Sequence, residues 1–239
     1  MVQFGQWNRF GNQNRVVSRS GGSGGSTLPV SRAATTSGVD YAGGEAAIFT
    51  TDTAAFLLGG LDETQSWVAL RLRSGWANAA EPEGGAGYPY AFSWWDTDAD
   101  QIALAYEEAS DRWYMYRLAA SLGTPAFQAG TVAVDQSITL IGAWTATVVN
   151  ASVDGAAFAS VANTSIPALA ATSFFVGSRN DGARQIDSYI DWFAWGTGTL
   201  TDANAALIAA FGANPSPEQF PGTIVGFWPC SSDKYWTAS

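Results

Sequence analysis

The chain has 239 residues, of which 47% are apolar and only 13% are charged, and its formal net charge at pH 7 is −10. So much core material argues against a disordered chain, and the lack of any run of about eighteen apolar residues argues against a membrane span. The acidic balance argues against nucleic-acid binding by the folded body, because neutralising phosphates requires a basic surface.

The first 39 residues differ from the rest of the chain in charge. They hold four arginines and no acidic residue, whereas all 21 acidic residues lie at or after Asp40. This segment also contains the Gly/Ser run 20–26, which offers too little apolar surface to fold by itself. We therefore predict two regions, an extended basic arm over residues 1–39 and one folded domain over residues 40–239.

The composition of the arm predicts docking on a partner, with a merely disordered terminus as the alternative. Its aromatic side chains would fill pockets on that partner, and its arginines would pair with acidic surface around them. The predicted anchors are Phe4, Trp7, Arg9, Phe10, Arg15 and Arg19.

After the arm, alternating or continuous apolar stretches predict about ten short strands. In the clearest, 67–73, Val68, Leu70 and Leu72 face the core and the residues between them face outward. Asp154 and Gly155 predict a type I′ hairpin turn, because both tolerate positive φ. The other predicted strands cover residues 46–50, 91–95, 102–106, 113–118, 137–149, 174–177, 186–195 and 223–228. We expect the first strand of the domain to pair with the last and so close it.

A single helix is predicted near the carboxyl end of the domain. Thr201 is a good N-cap, Asp202 suits the positive end of the helix dipole, residues 203–211 favour helix and Gly212 ends it. Many short strands, one short helix and no β–α–β rhythm predict an all-β antiparallel sandwich of two sheets.

Four short motifs in the second half follow one another in a familiar order. They are a variable-Asp-Gly hairpin at 153–155, a hydrophobic-Gly strand at 175–177, an Ile-Asp strand at 190–195 and a Leu-Thr-Asp helix start at 200–202. This order resembles the laminin-G-like or concanavalin A-like jelly roll, over roughly residues 46–236. The resemblance implies a two-sheet jelly roll in which Phe193 and Trp195 are buried and Trp192 is the more exposed.

The residues for most kinds of catalysis are missing. The chain has no histidine, which excludes a Ser-His-Asp triad and a histidine-ligated zinc. Glucanases of the resembled fold usually carry Glu-x-Asp-x-x-Glu on one strand, and this spacing does not occur: Glu107 and Glu108 are adjacent and would point to opposite faces of a strand. We therefore predict that the protein is not an enzyme.

One acidic segment has the spacing of a calcium loop. Asp96, Asp98, Asp100 and Glu107 stand at the first, third, fifth and twelfth positions of such a loop, but Gln101 occupies the position that requires glycine. The alternative is an acidic, solvated turn between two strands. Calcium is the one cofactor that the sequence suggests.

The eleven tryptophans offer a second kind of candidate site. Trp144, Trp195 and Trp228 lie on strand phases that predict burial. Three others, Trp7, Trp76 and Trp236, lie outside clear strands, where they would mark a subunit interface or a platform for a sugar.

Together, these features predict a non-enzymatic protein that assembles with copies of itself or with other subunits. The chain start lacks the order of a secretory signal and Cys230 is the only cysteine, which favours assembly in a reducing cytoplasm. Among jelly rolls, this combination resembles bacteriophage virion proteins, which implies a capsid decoration protein or a head or tail appendage. Its partner would be the major capsid protein or another virion protein. The alternatives are a carbohydrate-binding module or adhesin, with or without calcium, and a degenerate glucanase.

Overall fold

The computed structural model describes residues 61–77, 88–169, 174–177, 186 and 188–230, together with the backbone of four further strands at 14–18, 39–40, 47–49 and 234–238. These residues form two antiparallel sheets packed face to face, with one α-helix outside them. The predicted all-β, two-sheet antiparallel jelly roll with one short helix is confirmed.

The strands take their places in two sheets. In chain order they are β1 (Asn14–Ser18), β2 (Val39–Asp40), β3 (Ala47–Phe49), β4 (Ser66–Ser74), β5 (Tyr90–Trp95), β6 (Gln101–Glu107), β7 (Arg112–Leu118), β8 (Ala126–Ala129), β9 (Ser137–Trp144), β10 (Val148–Val153), β11 (Ala159–Ala162), β12 (Phe174–Val176), β13 (Ser188–Thr197), β14 (Thr223–Trp228) and β15 (Lys234–Ala238). The nine-stranded sheet has the order β1-β15-β14-β13-β4-β9-β10-β11, with β2 beside β13. The six-stranded sheet has the order β3-β12-β5-β6-β7-β8.

The predicted pairing of the first domain strand with the last is wrong. The segment predicted as the first strand forms β3, which pairs with β12 in the six-stranded sheet. The free side of β14 is instead taken by β15, a strand that follows it in the chain. The last strand predicted from the sequence ends at Trp228, so β15 lies beyond the predicted strands.

One predicted strand is a hairpin. The stretch 137–149 divides into β9 and β10, because the chain reverses at 145–147, where the Thr145 N–H donates to the Val148 carbonyl at 2.8 Å. The predicted hairpin turn that follows β10 is confirmed. Asp154 and Gly155 have φ values of 50° and 76°, and the Ala156 N–H donates to the Val153 carbonyl at 3.0 Å.

The main core lies between the sheets and follows the predicted alternation. Val68, Leu70 and Leu72 of β4 are buried in it, as predicted. Trp144, Trp195 and Trp228 are also buried there, as predicted. Trp76, which lies outside the clearly predicted strands, is buried too, and its indole N–H donates to the Ile186 carbonyl at 2.6 Å.

The fully buried Arg117 of β7 ties the end of that strand to the loops around it. Its guanidinium donates to the carbonyls of Glu63 (3.0 Å), Thr145 (2.6 Å), Ala146 (3.3 Å) and Asn163 (2.6 Å). Burial lowers the pKa of this side chain. Because a buried cation is costly unless it is hydrogen-bonded, these four carbonyls are what make its position tolerable.

The helix α1 (Asp202–Ala209) covers the outer face of the nine-stranded sheet and creates a second core. Thr201 caps it as predicted: its hydroxyl accepts from the Asn204 N–H at 3.3 Å, while its own N–H donates to the Asn204 side chain at 2.9 Å. Trp192 lies under this cover, fully buried, and donates to the Gly212 carbonyl at 3.0 Å. The expectation that Trp192 is the exposed member of its strand is therefore wrong, whereas the burial of Phe193 and Trp195 is confirmed.

Within the described residues, no helix is long and apolar enough to cross a membrane.

Candidate ligand-binding groove

The outer face of the six-stranded sheet carries a row of tyrosines. Strand alternation directs Ile102, Leu104 and Tyr106 of β6 into the main core and the residues between them outward. On the neighbouring strand β7, the same alternation brings Tyr114 and Tyr116 to the outer face.

Two alanines of β6 make room for these rings. In the sheet register, Ala105 lies between Tyr90 of β5 and Tyr114 of β7, and Ala103 lies opposite Tyr116. The hydroxyl oxygens of Tyr90 and Tyr116 are 2.7 Å apart, so the two side chains meet across β6. A larger residue on the outer face of β6 would stand where these rings approach each other.

The rings pack into one aromatic cluster, in which Tyr114 and Tyr116 are buried, with 8% and 6% of their surface exposed. Tyr114 and Tyr116 stack with their centroids 5.3 Å apart and an angle of 22° between the ring planes. Tyr88, which is 38% exposed, meets Tyr114 edge-on at 6.0 Å, and Phe127 of β8 lies 5.5 Å from Tyr114 on the other side. The cluster therefore extends from the segment before β5 to β8.

A chain of polar groups leads away from the rings. The Tyr116 hydroxyl donates to Gln101 Oε1 at 2.7 Å, and the Gln101 side-chain amide donates to the Asp98 carbonyl at 2.9 Å. The network joins the tyrosine hydroxyls to the turn that precedes β6.

These groups line an open groove with a volume of about 430 Å³. Asp98 and Gln101 lie at one end of β6 and Glu107 at the other, and a strand rise of ~3.4 Å per residue separates the backbones of Gln101 and Glu107 by roughly 20 Å. The groove has room for an extended ligand. Its lining combines aromatic rings, hydroxyl and amide groups and two carboxylates.

The basic side chain of Arg112 lies at the Glu107 end of the groove and interacts with two neighbouring side chains. The Arg112 guanidinium forms an ion pair with Glu107 and lies over the Phe127 ring, 3.4 Å from its centroid. The bond from Arg112 lowers the pKa of Glu107, so this carboxylate is ionised at neutral pH.

The structure does not bring the four predicted calcium ligands together. Asp96, Asp98 and Asp100 lie in the β5–β6 turn, and Glu107 lies at the far end of β6. The carboxylate of Asp100 accepts from the Ala120 N–H at 3.0 Å, and that of Asp98 from the Trp95 indole at 3.3 Å. No group of three or more potential metal ligands occurs within the described part of the chain. Because Glu107 is paired with Arg112, the four side chains do not form one ligand set. The expectation that Glu107 and Glu108 lie on one strand is also wrong, since β6 ends at Glu107.

Most of the predicted docking residues lie outside the described part of the chain. These are Phe4, Trp7, Arg9, Phe10 and Arg19. Arg15 lies in β1, where its register partner is Thr237 of β15. The strand β2 crosses the predicted boundary between arm and domain and pairs with β13.

The tyrosine groove was not among the sites predicted from the sequence, although the sequence contains a signal for it. Tyr114 and Tyr116 are two residues apart on a strand, and so are Ala103 and Ala105 on the strand before it. Facing pairs of this kind put large aromatic residues beside small ones on one face of a hairpin. Recognising the groove also required the β6–β7 register, which aligns Ala103 with Tyr116 and Ala105 with Tyr114.

No protein-family model matches the chain, and no curated protein matches it in sequence. Its structure is similar to the mouse laminin alpha1 chain, domains LG4-5, with a TM-score of 0.51 at 13% identity over 74% of this chain and 47% of that one. It is similar to Trypanosoma rangeli sialidase in complex with sialic acid, with a TM-score of 0.50 at 13% identity over 73% of this chain and 28% of that one. Domain 4 of AbnA, a GH43 extracellular arabinanase from Geobacillus stearothermophilus in complex with arabinotriose, matches with a TM-score of 0.47 at 15% identity over 61% and 66% of the two chains.

The matches to laminin and to the sialidase confirm the predicted laminin-G-like, concanavalin A-like jelly roll at the level of architecture. In both cases this chain corresponds to less than half of the other protein. Neither is a virion protein, and at 13% identity the likeness concerns the fold alone.

Proposed function

We propose that this protein is a non-enzymatic carbohydrate-binding module that holds a glycan in the tyrosine groove. The observation that carries the proposal is the groove in which the exposed ring of Tyr88 and the partly exposed ring of Phe127 flank the buried pair Tyr114 and Tyr116. The hydroxyl and amide network of Tyr90, Tyr116 and Gln101 also lines this groove. The fold comparisons support the architecture that positions this surface.

The chemistry of the groove suits a sugar ring. A pyranose has an apolar face of C–H groups, which stacks on an aromatic ring, and a rim of hydroxyls, which exchange hydrogen bonds with polar groups. Tyrosine offers both an apolar ring and a polar tip, and it is ordered at low entropic cost because it has only two side-chain torsions. An apolar groove with a few fixed polar groups is the usual form of a small-ligand site.

The carboxylates of the groove support binding without hydrolysis. A glycosidase needs two carboxyl groups about 5 to 9.5 Å apart, on either side of the bond to be cleaved. Here Asp98 precedes β6 and Glu107 ends it, so that roughly 20 Å of strand lies between their backbones, and Glu107 is already paired with Arg112.

The proposal is tested by electrophoresis in native gels that contain soluble polysaccharides, followed by calorimetry with the oligosaccharides of any polysaccharide that retards the protein. Tyr88→Ala removes the exposed ring, and we expect a loss of affinity of about tenfold, the size of a moderate hot-spot contact. Leu207→Ala is the matched control, since Leu207 is a large, 47% exposed side chain on α1, on the other side of the molecule. A panel in which no polysaccharide retards the chain, or retardation that Tyr88→Ala leaves intact, would contradict the proposal.

A second candidate function is assembly through the amino-terminal segment. Two observations favour it: β1 adds to the edge of the nine-stranded sheet by pairing with β15, and twenty residues separate β1 from β2. The same pairing made between two chains would link them, because main-chain bonds at a sheet edge do not depend on which chain supplies the strand. A place in a bacteriophage virion is a narrower form of this candidate and rests on the sequence resemblance.

Cysteine pairing tests this candidate. Val16 is the register partner of Trp236, so a Val16→Cys chain mixed with a Trp236→Cys chain should form a disulfide-linked dimer under mild oxidation if the strand exchanges between chains. Asn14→Cys mixed with Lys234→Cys is the control, because the register puts Asn14 opposite Ala238 instead. Dimers that form equally in both mixtures, or in neither, would argue against exchange.

A further inference from the structure

We infer that the groove selects neutral glycans and that Glu107 sets this selectivity by masking Arg112, the basic side chain at its end. The inference rests on the proposed function, since it concerns the ligand of the same groove. It names the ligand class, an uncharged polysaccharide chain, and the residue that excludes sialylated, uronic or sulfated ones.

The first step is the charge of the groove. Among the described residues, the carboxylates that line it are Asp98 and Glu107, near its two ends, and no lysine, arginine or histidine lines it. An acidic sugar would meet the carboxylate of Asp98 at one end of β6, and at the other end the Glu107–Arg112 ion pair, which offers it no net positive charge. Like charges brought together at an interface oppose binding strongly, so the groove disfavours anionic ligands.

The second step concerns Arg112, which would otherwise attract an acidic sugar. Its guanidinium is held by Glu107 on one side and by the Phe127 ring on another. The charge of Glu107 cancels that of Arg112 locally, and the stacking fixes the guanidinium plane against the edge of the groove. Because the bond from Arg112 lowers the pKa of Glu107, Glu107 stays ionised and continues to offset the charge of Arg112 well below neutral pH.

The third step is that the remaining polar groups suit a neutral ligand. The tyrosine hydroxyls and the Gln101 amide can donate as well as accept, which matches sugar hydroxyls. The roughly 20 Å between the backbones at the two ends of β6 accommodates several linked rings in place of one. The groove thus favours an extended, uncharged chain.

The experiment compares polysaccharides in matched pairs. Polygalacturonate and hyaluronan are each used beside their carboxyl-reduced forms, which keep the backbone and linkage but lose the charge, together with any neutral polysaccharide that binds in the first panel. For the protein without substitutions, we expect the affinity for the reduced form of a bound pair to exceed that for the acidic form by about tenfold. Added salt should reduce this difference in affinity, because it screens the repulsion of the acidic form.

The decisive variant is Glu107→Gln. The amide oxygen can still accept from Arg112, so the strand ends stay joined, but the arginine charge is no longer cancelled. We expect the preference for the reduced form to fall to within about threefold, and the acidic member to be bound less well as salt is added. Glu218→Gln removes the same charge at an exposed position outside the groove and should change neither result.

The possible outcomes distinguish a failure of this inference from a failure of the proposed glycan-binding function. If the protein binds the acidic member as well as the reduced one, and Tyr88→Ala weakens both, the groove binds glycans but the inference is wrong. The inference is also wrong if Glu107→Gln leaves the preference unchanged. If no polysaccharide of either kind binds, the proposed function fails and the inference fails with it.

Discussion

Both sheets carry aromatic residues on their outer faces, but one outer face is covered by a helix and a loop segment and the other borders an open groove. On the nine-stranded sheet, Trp67 and Trp192 lie under α1 and the segment that carries Phe211 and Phe220, and both tryptophans are fully buried. On the six-stranded sheet, the tyrosines line an open groove, although three of them have no more than 8% of their surface exposed. The helix of the described residues lies on the other side of the sandwich.

The difference follows from the polar atoms of the side chains. A tryptophan or phenylalanine face gains most when it is removed from water, so the face that carries them has a cover. A tyrosine keeps a hydroxyl that needs a partner, and at the edge of a groove it finds one in a neighbouring residue, in water or in a ligand. The type of aromatic residue therefore distinguishes the outer face that has a cover from the outer face that borders the groove.

The largest expected effect concerns the covered face. Trp192→Ala should lower the free energy of unfolding by about 3 to 5 kcal/mol, because a fully buried aromatic residue leaves a cavity. Trp95→Ala is the matched control: Trp95 is a partly exposed indole of β5 in the six-stranded sheet, and its loss should cost less than half as much. Denaturant unfolding measures both, and equal costs would mean that the two faces do not differ in the proposed way.

The second prediction concerns the hydroxyl network of the groove. Tyr116→Phe keeps the ring but removes bonds to Tyr90 and Gln101, and it should lower the free energy of unfolding by about 1 to 2 kcal/mol. Glycan affinity should fall as well, since the Gln101 side chain keeps its bond to the Asp98 carbonyl but loses the Tyr116 hydroxyl that also orients it. Trp192→Ala, by contrast, should leave affinity unchanged in the folded fraction. Loss of stability from Tyr116→Phe without loss of affinity would make the network a structural feature only.

Local patterns predicted much of the fold. The alternation of Val68, Leu70 and Leu72 specified the inner face of β4, and Thr201 with its neighbours specified the start of α1, because each signal lies within a few consecutive residues. The turn between β9 and β10 was missed because 145–147 is Thr-Ala-Thr, with no glycine or proline to mark it.

The candidate site could not be predicted in the same way. The burial of Trp192 depends on a cover supplied by residues 10 to 30 positions away, and the groove depends on three strands in one register. The predicted calcium ligands failed for the same reason: the spacing of Asp96 and Glu107 fits a loop, but the residues between them form a strand, which holds the two ends apart.

The smallest expected effect is on pH dependence, and it differs in sign between the two sheets. On the six-stranded sheet, Arg112 lowers the pKa of Glu107 from its ordinary value of 4.5, so the folded state binds this proton less readily than the unfolded state. The contribution of Glu107 to stability is then present above pH 4.5 and is lost as the pH falls through the lowered value.

On the nine-stranded sheet, burial raises the pKa of Asp191 above its ordinary value of 3.8, although Arg71 lies 3.2 Å away and opposes the shift. Stability therefore falls as the pH rises from 3.8 through the raised value, because the unfolded state ionises first. We expect the Glu107→Gln protein to lose less stability on acidification than the parent protein. We expect the Asp191→Asn protein to lose more, because protonation of Asp191 stabilises the parent protein as the pH falls. Melting temperatures from pH 3 to 7 measure both slopes. Two variants that shift the slope in the same direction would show that these acids do not stand in opposite environments.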